Sequence, residues 1–191
     1  MSTPPEEFIT ALESLKGQTF RPEFHLTQIP PPTQIAPYAV ALQAELNPDQ
    51  ADPEHLLGSA KFVVLYDPEE QPAWNGPFRI VINAQAPMDG EIGDDPLLGE
   101  VAWSWLTDAL AQENAPYHSL NGTVTRVFNE TFGDLHLNTA RVDLEVRASW
   151  SPTNEQLTTH LHAWANFAAA VSGLGPWSPN VVPMPRKVDL V

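Results

Sequence analysis

Carboxylates are concentrated in the stretch MDGEIGDD, and oxygen ligands of this type are what hard cations bind. The four side chains are Asp89, Glu91, Asp94 and Asp95. Calcium needs several oxygen ligands on a turning backbone, and Gly90 and Gly93 permit such turns. The spacing does not match the calcium loop of helix-loop-helix proteins. A solvated loop before the next helix explains the same residues, so we predict no metal site and keep cation binding as the alternative.

Histidine and cysteine usage indicates little catalytic chemistry. His160 and His162 are two positions apart on a predicted helix, so they point about 200° away from each other and cannot share a metal. We expect His160 to flank the core and His162 to be partly solvated. The chain has no cysteine, which excludes disulfides, thiolate metal sites and cysteine nucleophiles. We therefore assign no catalytic residue and no cofactor, and leave open whether the protein is an enzyme.

Four large apolar side chains fall where a core residue is not expected. They are Trp74 in a turn, Trp103 and Leu110 on the far side of the central helix, and Trp177 in the C-terminal segment. Tryptophan is favoured in contact patches because it buries a large area and keeps a polar group. We predict these four as binding residues. In the alternative, the C-terminal segment folds back and Trp177 packs beside Trp103.

The charge balance selects the kind of partner. The chain has 9 basic and 24 acidic residues, for a net charge of −15. Nucleic acid and anionic membranes need cations, so neither is expected as a partner. Between residues 148 and 185 only Glu155 is formally charged. A segment with so little charge is expected to be buried or to form a contact surface.

The length of the chain and the positions of its prolines favour a single domain, residues 1–191, with Pro-rich extended segments at 19–37 and 174–191. The first residues carry Glu6 and Glu7 where a signal peptide would carry positive charge. No apolar run is long enough to span a bilayer. We expect a soluble, cytoplasmic protein.

Hydrophobic periodicity predicts an α+β domain in the order α-β-β-β-α-β-β-α, with about five strands in a predominantly antiparallel sheet and helices packed against it. Strands are predicted at 38–46, 60–66, 78–86, about 121–128 and about 138–150, with a short edge piece around 24–29. Asp95 and Pro96 are predicted to open the central helix. Thr153 and Gln156 have the spacing of a capping box that opens the last helix.

Several stretches resemble one family along nearly the whole chain. They are APYAVAL from Ala36, DPLLGEVAWSWLTDAL from Asp95, GTVTR from Gly122, RASWSPT from Arg147 and VVPMPR from Val181. The family they resemble is actinobacterial and catalogued as domain of unknown function 3000, so the resemblance implies an actinobacterial origin and carries over no catalytic residue. The element order alone is similar to that of the acidic dimeric chaperones of type III secretion.

Three functional hypotheses follow. The first is a non-enzymatic binding or adaptor protein, chaperone-like and homodimeric, with a protein client, because both the central and the last helix have more apolar or neutral surface than one sheet can cover. The second is a small-ligand binder or enzyme with a pocket between sheet and helices. The residues of that pocket would be Arg126, Asp143, Glu145 and Arg147. The third is a subunit of a larger assembly.

Overall fold

Six strands and four helices follow one another in the part of the chain that the structure, a computed structural model, describes: residues 3–133 and 141–177. The helices are α1 (Glu6–Ser14), α2 (Gly90–Gly93), α3 (Leu98–Gln112) and α4 (Thr158–Val171), and Pro53–His55 forms one turn of 3-10 helix. The strands are β1 (Phe24–Ile29), β2 (Tyr38–Leu46), β3 (Gly58–Tyr66), β4 (Phe78–Met88), β5 (Tyr117–Asn129) and β6 (Arg141–Pro152).

All the strands belong to one antiparallel sheet in the order β1-β2-β3-β4-β6-β5. The predicted α+β class and antiparallel sheet are confirmed. The sheet has six strands rather than about five, because the predicted edge piece pairs with β2 along its whole length, from Phe24 opposite Leu46 to Ile29 opposite Ala41. The element order therefore has one strand more before the central helix than predicted.

The helices lie on one side of the sheet. On that side, alternate residues of the inner strands are apolar and buried, as in Phe62 and Val64 of β3 or Ile80 and Ile82 of β4. α4 packs against β3, β4 and α3, and α3 also reaches β5. α1 covers the far end, where Phe8 contacts the rings of Tyr38 and Tyr66 at 5.6 and 5.8 Å between centroids.

The last helix is the centre of this core. Its buried residues are His160, Leu161, Ala163, Trp164, Ala165, Phe167, Ala168, Ala169 and Val171. Trp164 contacts the rings of Phe24 and Phe62. The small residues Ala163 and Ala169 are buried as well, so α4 is covered on more than one side by its own chain. Burial therefore accounts for the missing charge over the described part of residues 148–185.

Both predicted helix starts lie too early in the chain. Asp95 accepts the backbone N–H of Leu97 at 2.8 Å in a turn before the helix, and α3 begins at Leu98. β6 runs on to Pro152, opposite Tyr117, so α4 begins only at Thr158. The predicted capping box at Thr153 is wrong.

The two Pro-rich segments are only partly described. The first, 19–37, contains β1 between Pro22 and the prolines at 30–32. Of the second, residues 174–177 have no regular structure, and 178–191 lie outside the described residues, as do the predicted strand positions 138–140. Among the described helices, none combines the length and the apolar character needed to cross a membrane.

Candidate binding surface on the open face of the sheet

The side of the sheet away from the helices carries the polar and charged side chains of the inner strands. Because side chains alternate along a strand, the residues between the buried ones face this side. The antiparallel register aligns them in rows across the sheet. One row contains Gln43, Lys61, Asn83, Arg147 and Thr123. The next contains Glu45, Ser59, Gln85, Glu145 and Thr125.

Glu145 is held by two hydrogen bonds on this open face. Its Oε1 accepts the Nε–H of Arg147 at 2.7 Å and the side-chain amide of Asn83, also at 2.7 Å. The Glu145 side chain is 21 % exposed, whereas that of Arg147 is 69 % exposed. Asp143 is held in a similar way by Arg141 and by Asn129. Both ion pairs join neighbours on the same strand, β6.

Lys61 and Glu45 have their charges free to meet an incoming group. They lie diagonally across β2 and β3, Lys61 opposite Gln43 and Glu45 opposite Ser59. Both are exposed, and within the described residues neither makes a hydrogen bond or an ion pair through its side chain. A cation and an anion are therefore presented next to each other in the middle of the sheet.

A groove of about 630 Å³ follows these rows across four adjacent strands. Its floor includes Lys61, Asn83, Glu145 and Arg147, and Leu56 from the loop before β3 stands at one end. A second depression of about 320 Å³ continues it past Leu56 towards Asp143. Both are shallow and open along one side. Such a shape suits a polypeptide segment better than a small molecule, which proteins usually enclose.

The four residues predicted to line a pocket between sheet and helices do not come together there. Asp143, Glu145 and Arg147 face away from the helices. Arg126 is on the helix side at the sheet edge, where its Nη1 donates to the carbonyl of Asp95 at 2.8 Å. The layer between them is filled by fully buried side chains such as Trp150. Three of the four predicted residues therefore lie on the opposite side of the sheet from the predicted pocket.

Two of the four predicted binding residues are core residues. Leu110 is 0 % exposed and belongs to the apolar cluster under the sheet. Trp74 is 7 % exposed, and its carbonyl accepts the hydroxyl of Ser151 at 2.6 Å. Neither can present a contact surface in this conformation. The turn-rich sequence around Trp74 did not indicate that this connection folds back onto the sheet.

The other two predicted binding residues lie on opposite sides of α3. The Trp103 ring lies over Gly122 of β5, so close that a Cβ at Gly122 would come within 2.7 Å of it. Trp177 is 45 % exposed and lines a groove with Trp105, where Arg21 donates to the carbonyl of Gly175 at 2.8 Å. The alternative that Trp177 packs beside Trp103 is therefore wrong. A binding role for Trp103 and Trp177 stays a prediction.

Arg79 is a buried cation that sequence analysis did not single out. It is 5 % exposed at the end of the open face, where it donates to four neutral oxygens: Ser119 O at 2.9 Å, Ser151 Oγ at 3.0 Å, Ser149 O at 3.2 Å and Ser149 Oγ at 2.8 Å. Burial lowers the pKa of its guanidinium. Arg79 thus joins β4 to β6 and to the irregular start of β5.

The acidic stretch and the two histidines of α4 were the residues considered for metal binding. Gly90–Gly93 of the acidic stretch is the short helix α2, and among the described residues no three His, Cys, Asp or Glu side chains are grouped so that they could hold a metal. His160 is fully buried, as an acceptor for the Trp150 indole at 3.0 Å, whereas His162 is partly buried beside Gln18. The predicted separation of these two histidines is confirmed.

Comparison with known proteins identifies a family without an assigned activity. A family model described as Protein of unknown function (DUF3000) matches residues 4–182. This match confirms the resemblance carried by DPLLGEVAWSWLTDAL and the related stretches. No curated protein and no solved structure matches the chain.

Proposed function

Since the chain belongs to this family, whose description names no activity, we propose from the geometry alone that the protein is a non-catalytic binding protein. Its binding surface is the open face of the sheet. The partner is a protein segment that carries charges of both signs. We also propose a cytoplasmic location and an actinobacterial origin, on the family resemblance and the acidic, cysteine-free composition.

The observation that carries the proposal is the pair of unpartnered charges on the groove floor. Lys61 and Glu45 are adjacent and exposed, and the described residues provide no partner for either side chain. Around them, Glu145, Arg147 and Asn83 hold one another in place, so the surface is organised before a partner arrives. Preorganised polar groups reduce the entropy cost of binding.

The apolar surface of the helices contributes less to the proposed binding. The chain itself buries α4. The open face of the sheet is polar, and polar faces with charges of both signs provide specificity more than affinity. The proposal therefore rests on the sheet and not on the helices.

Charge reversal of the two unpartnered residues tests the proposal. We expect Lys61→Glu and Glu45→Lys each to weaken partner capture on the order of tenfold, since each places a like charge against the partner. Lys16→Glu, in the turn after α1, outside the groove and 68 % exposed, is the control and should leave capture unchanged. The measurement is quantitative mass spectrometry of proteins retained from a lysate of the source organism by each variant.

A partner counts only if both sheet-face substitutions reduce its capture and Lys16→Glu does not. If every retained protein is kept equally by all the variants, the open face is not the binding surface and the proposal is wrong. Circular dichroism of each variant shows that the fold is intact before capture is compared.

A further inference from the structure

The two outer strands of the sheet differ in how well they are protected against pairing. β1 has 6 residues and lies between Pro22 and the prolines at 30–32, which cannot donate to a new ladder. β5 has 13 residues, contains no proline, and among the described residues pairs only with β6, on one side. Every second residue of β5 therefore directs its N–H and C=O away from the sheet.

Several exposed side chains on β5 and just beyond it are apolar. Tyr117, Val127 and Phe128 are 36 %, 41 % and 61 % exposed, and Phe132 just beyond the strand is 81 % exposed. Long, exposed and apolar outer strands are sites where another strand adds to a sheet.

The charge of β5 limits which kind of strand can pair with its free edge. β5 contains no acidic residue and one basic residue, Arg126, in a chain of net charge −15. Two copies of so acidic a molecule repel each other over most of their surfaces. β5 is a segment along which they can approach without placing carboxylates of the two strands opposite each other.

We propose that β5 pairs with β5 of a second copy of this chain, antiparallel and about a twofold axis, so that the two sheets become continuous. The register follows from the strand itself. An irregularity between His118 and Asn121 ends the regular ladder, which leaves Asn121–Asn129 as the regularly paired segment. The centre of that segment is Thr125. Pairing centred there uses the whole segment and keeps each helix layer on the same side of the joined sheet.

Side chains agree with this register. Phe128 falls opposite Gly122 of the second copy, which has no side chain of its own, so that the Phe128 ring borders the Trp103 ring that covers this glycine. Aromatic side chains across from glycine stabilise strand pairs. Arg126 falls opposite Val124, whereas pairing centred on Arg126 would place two guanidinium groups opposite each other. This pairing is independent of the proposed function, because it uses the sheet edge and leaves the groove open.

The chain has no cysteine, so single cysteines report the contact directly. Residues opposite each other in an antiparallel pair have Cα atoms about 4.5 to 5.5 Å apart, within the range that a disulfide spans. We expect Thr125→Cys to form a disulfide-linked dimer that a reductant separates. Thr27→Cys on β1 is the matched control, a threonine that is also exposed and on the open face of an outer strand, and it should stay monomeric.

Light scattering from micromolar to hundreds of micromolar protein completes the test. The wild type should have twice the chain mass of 21.0 kDa, and Thr125→Asp, which places two carboxylates at the axis, should return to 21.0 kDa, whereas Thr27→Asp should not. A wild type at 21.0 kDa throughout, a dimer that persists in Thr125→Asp, or equal cross-linking at Thr27 would each overturn the proposal. None of these outcomes bears on capture through Lys61 and Glu45.

Discussion

Arg79 shows how a single cation can hold three strand segments without a counter-charge. Its guanidinium is bound by neutral oxygens of Ser119, Ser149 and Ser151. Removing it leaves two partly buried carbonyls and two serine hydroxyls without this donor, and orphaned buried polar groups cost about 1 to 3 kcal/mol each before relaxation. We expect Arg79→Ala to lower the free energy of unfolding by roughly 3 kcal/mol, measured by urea denaturation.

Arg141→Ala is the control for Arg79, because Arg141 is 56 % exposed and makes one surface ion pair. Such pairs contribute about 0 to 1 kcal/mol. Equal losses for the two substitutions would show that the buried guanidinium does not stabilise the sheet.

His160 makes the stability of the protein depend on pH. It is fully buried, and burial lowers the pKa of its imidazole to about 4, while the Pro116 carbonyl offsets part of the shift. Within residues 3–133 and 141–177, no group lies in hydrogen-bonding geometry to its Nε2, and burial is the dominant effect on its pKa. The unfolded chain takes up a proton near pH 6.5 and the folded chain does not, so stability falls as the pH drops from about 6.5 towards 4.

We expect the free energy of unfolding to decrease by about 2 kcal/mol between pH 7 and pH 5 in the wild type because of His160. His160→Gln should remove most of that decrease, whatever its stability at pH 7. His55→Gln, with a side chain 58 % exposed in a loop, should keep it. The same pH dependence in His160→Gln would assign the effect to other groups.

The sequence did not predict the burial of Trp74 and Leu110. Trp74 follows a turn-rich sequence, and only the fold of that connection over Arg79 and Ser151 buries it. The exposure of Lys61 on the open face was not predicted. A lone cation in the apolar run AKFVVLY does not show which face of the sheet its side chain takes.

At the scale of elements, one hydroxyl joins the end of α1 to the start of α4. Ser14 Oγ donates to Ala11 O at 2.7 Å and accepts the backbone N–H of Leu157 at 3.0 Å, and the Ser14 carbonyl accepts the hydroxyl of Thr158 at 2.7 Å. A partner of this kind satisfies a free N–H at a helix start, as a side-chain cap does.

Ser14→Ala removes that partner, and we expect the thermal midpoint to fall by an amount equivalent to about 1 kcal/mol. Ser104→Ala is the matched control, because the Ser104 hydroxyl bonds only to Val101 O within its own helix. If both substitutions shift the midpoint equally, the contact between α1 and α4 does not contribute.

Elements were predicted well where their signals are local. β2 and β1 have the predicted limits, because alternation and flanking prolines are local patterns. The start of α4 was misplaced because the residue that receives its N–H, Ser14, lies far away in the chain. A capping box can be read in a short window, but a cap contributed by another helix cannot.

At the scale of the whole molecule, a net charge of −15 opposes the compact state. Salt screens repulsion between exposed charges, with a Debye length of about 10 Å at 0.1 M and about 3 Å at 1 M. We expect the thermal midpoint at pH 7.5 to rise by several degrees between low salt and 0.5 M sodium chloride, roughly the equivalent of 1 kcal/mol. A midpoint that is constant or falls would show that attractive pairs outweigh the repulsion.

The fold class followed from periodicity, whereas the location of the polar surface did not. Alternation on β6 shows that Asp143, Glu145 and Arg147 share a side, but it does not show which side the helices cover. That choice is made by the contacts of α3 and α4 with the apolar rows of β3 and β4. The candidate surface is therefore a property of the assembled layers.

Because α4 follows all six strands in the sequence, the order of synthesis has a consequence for the cell. Ribosomes add residues at roughly 5 to 20 per second, so the strands emerge before the helix that covers Phe62, Ile80 and Trp150. During that interval the nascent chain exposes the apolar side chains of these strands to other nascent chains on the polysome. Slow codons ahead of Thr158 would lengthen the exposure and favour inclusion bodies.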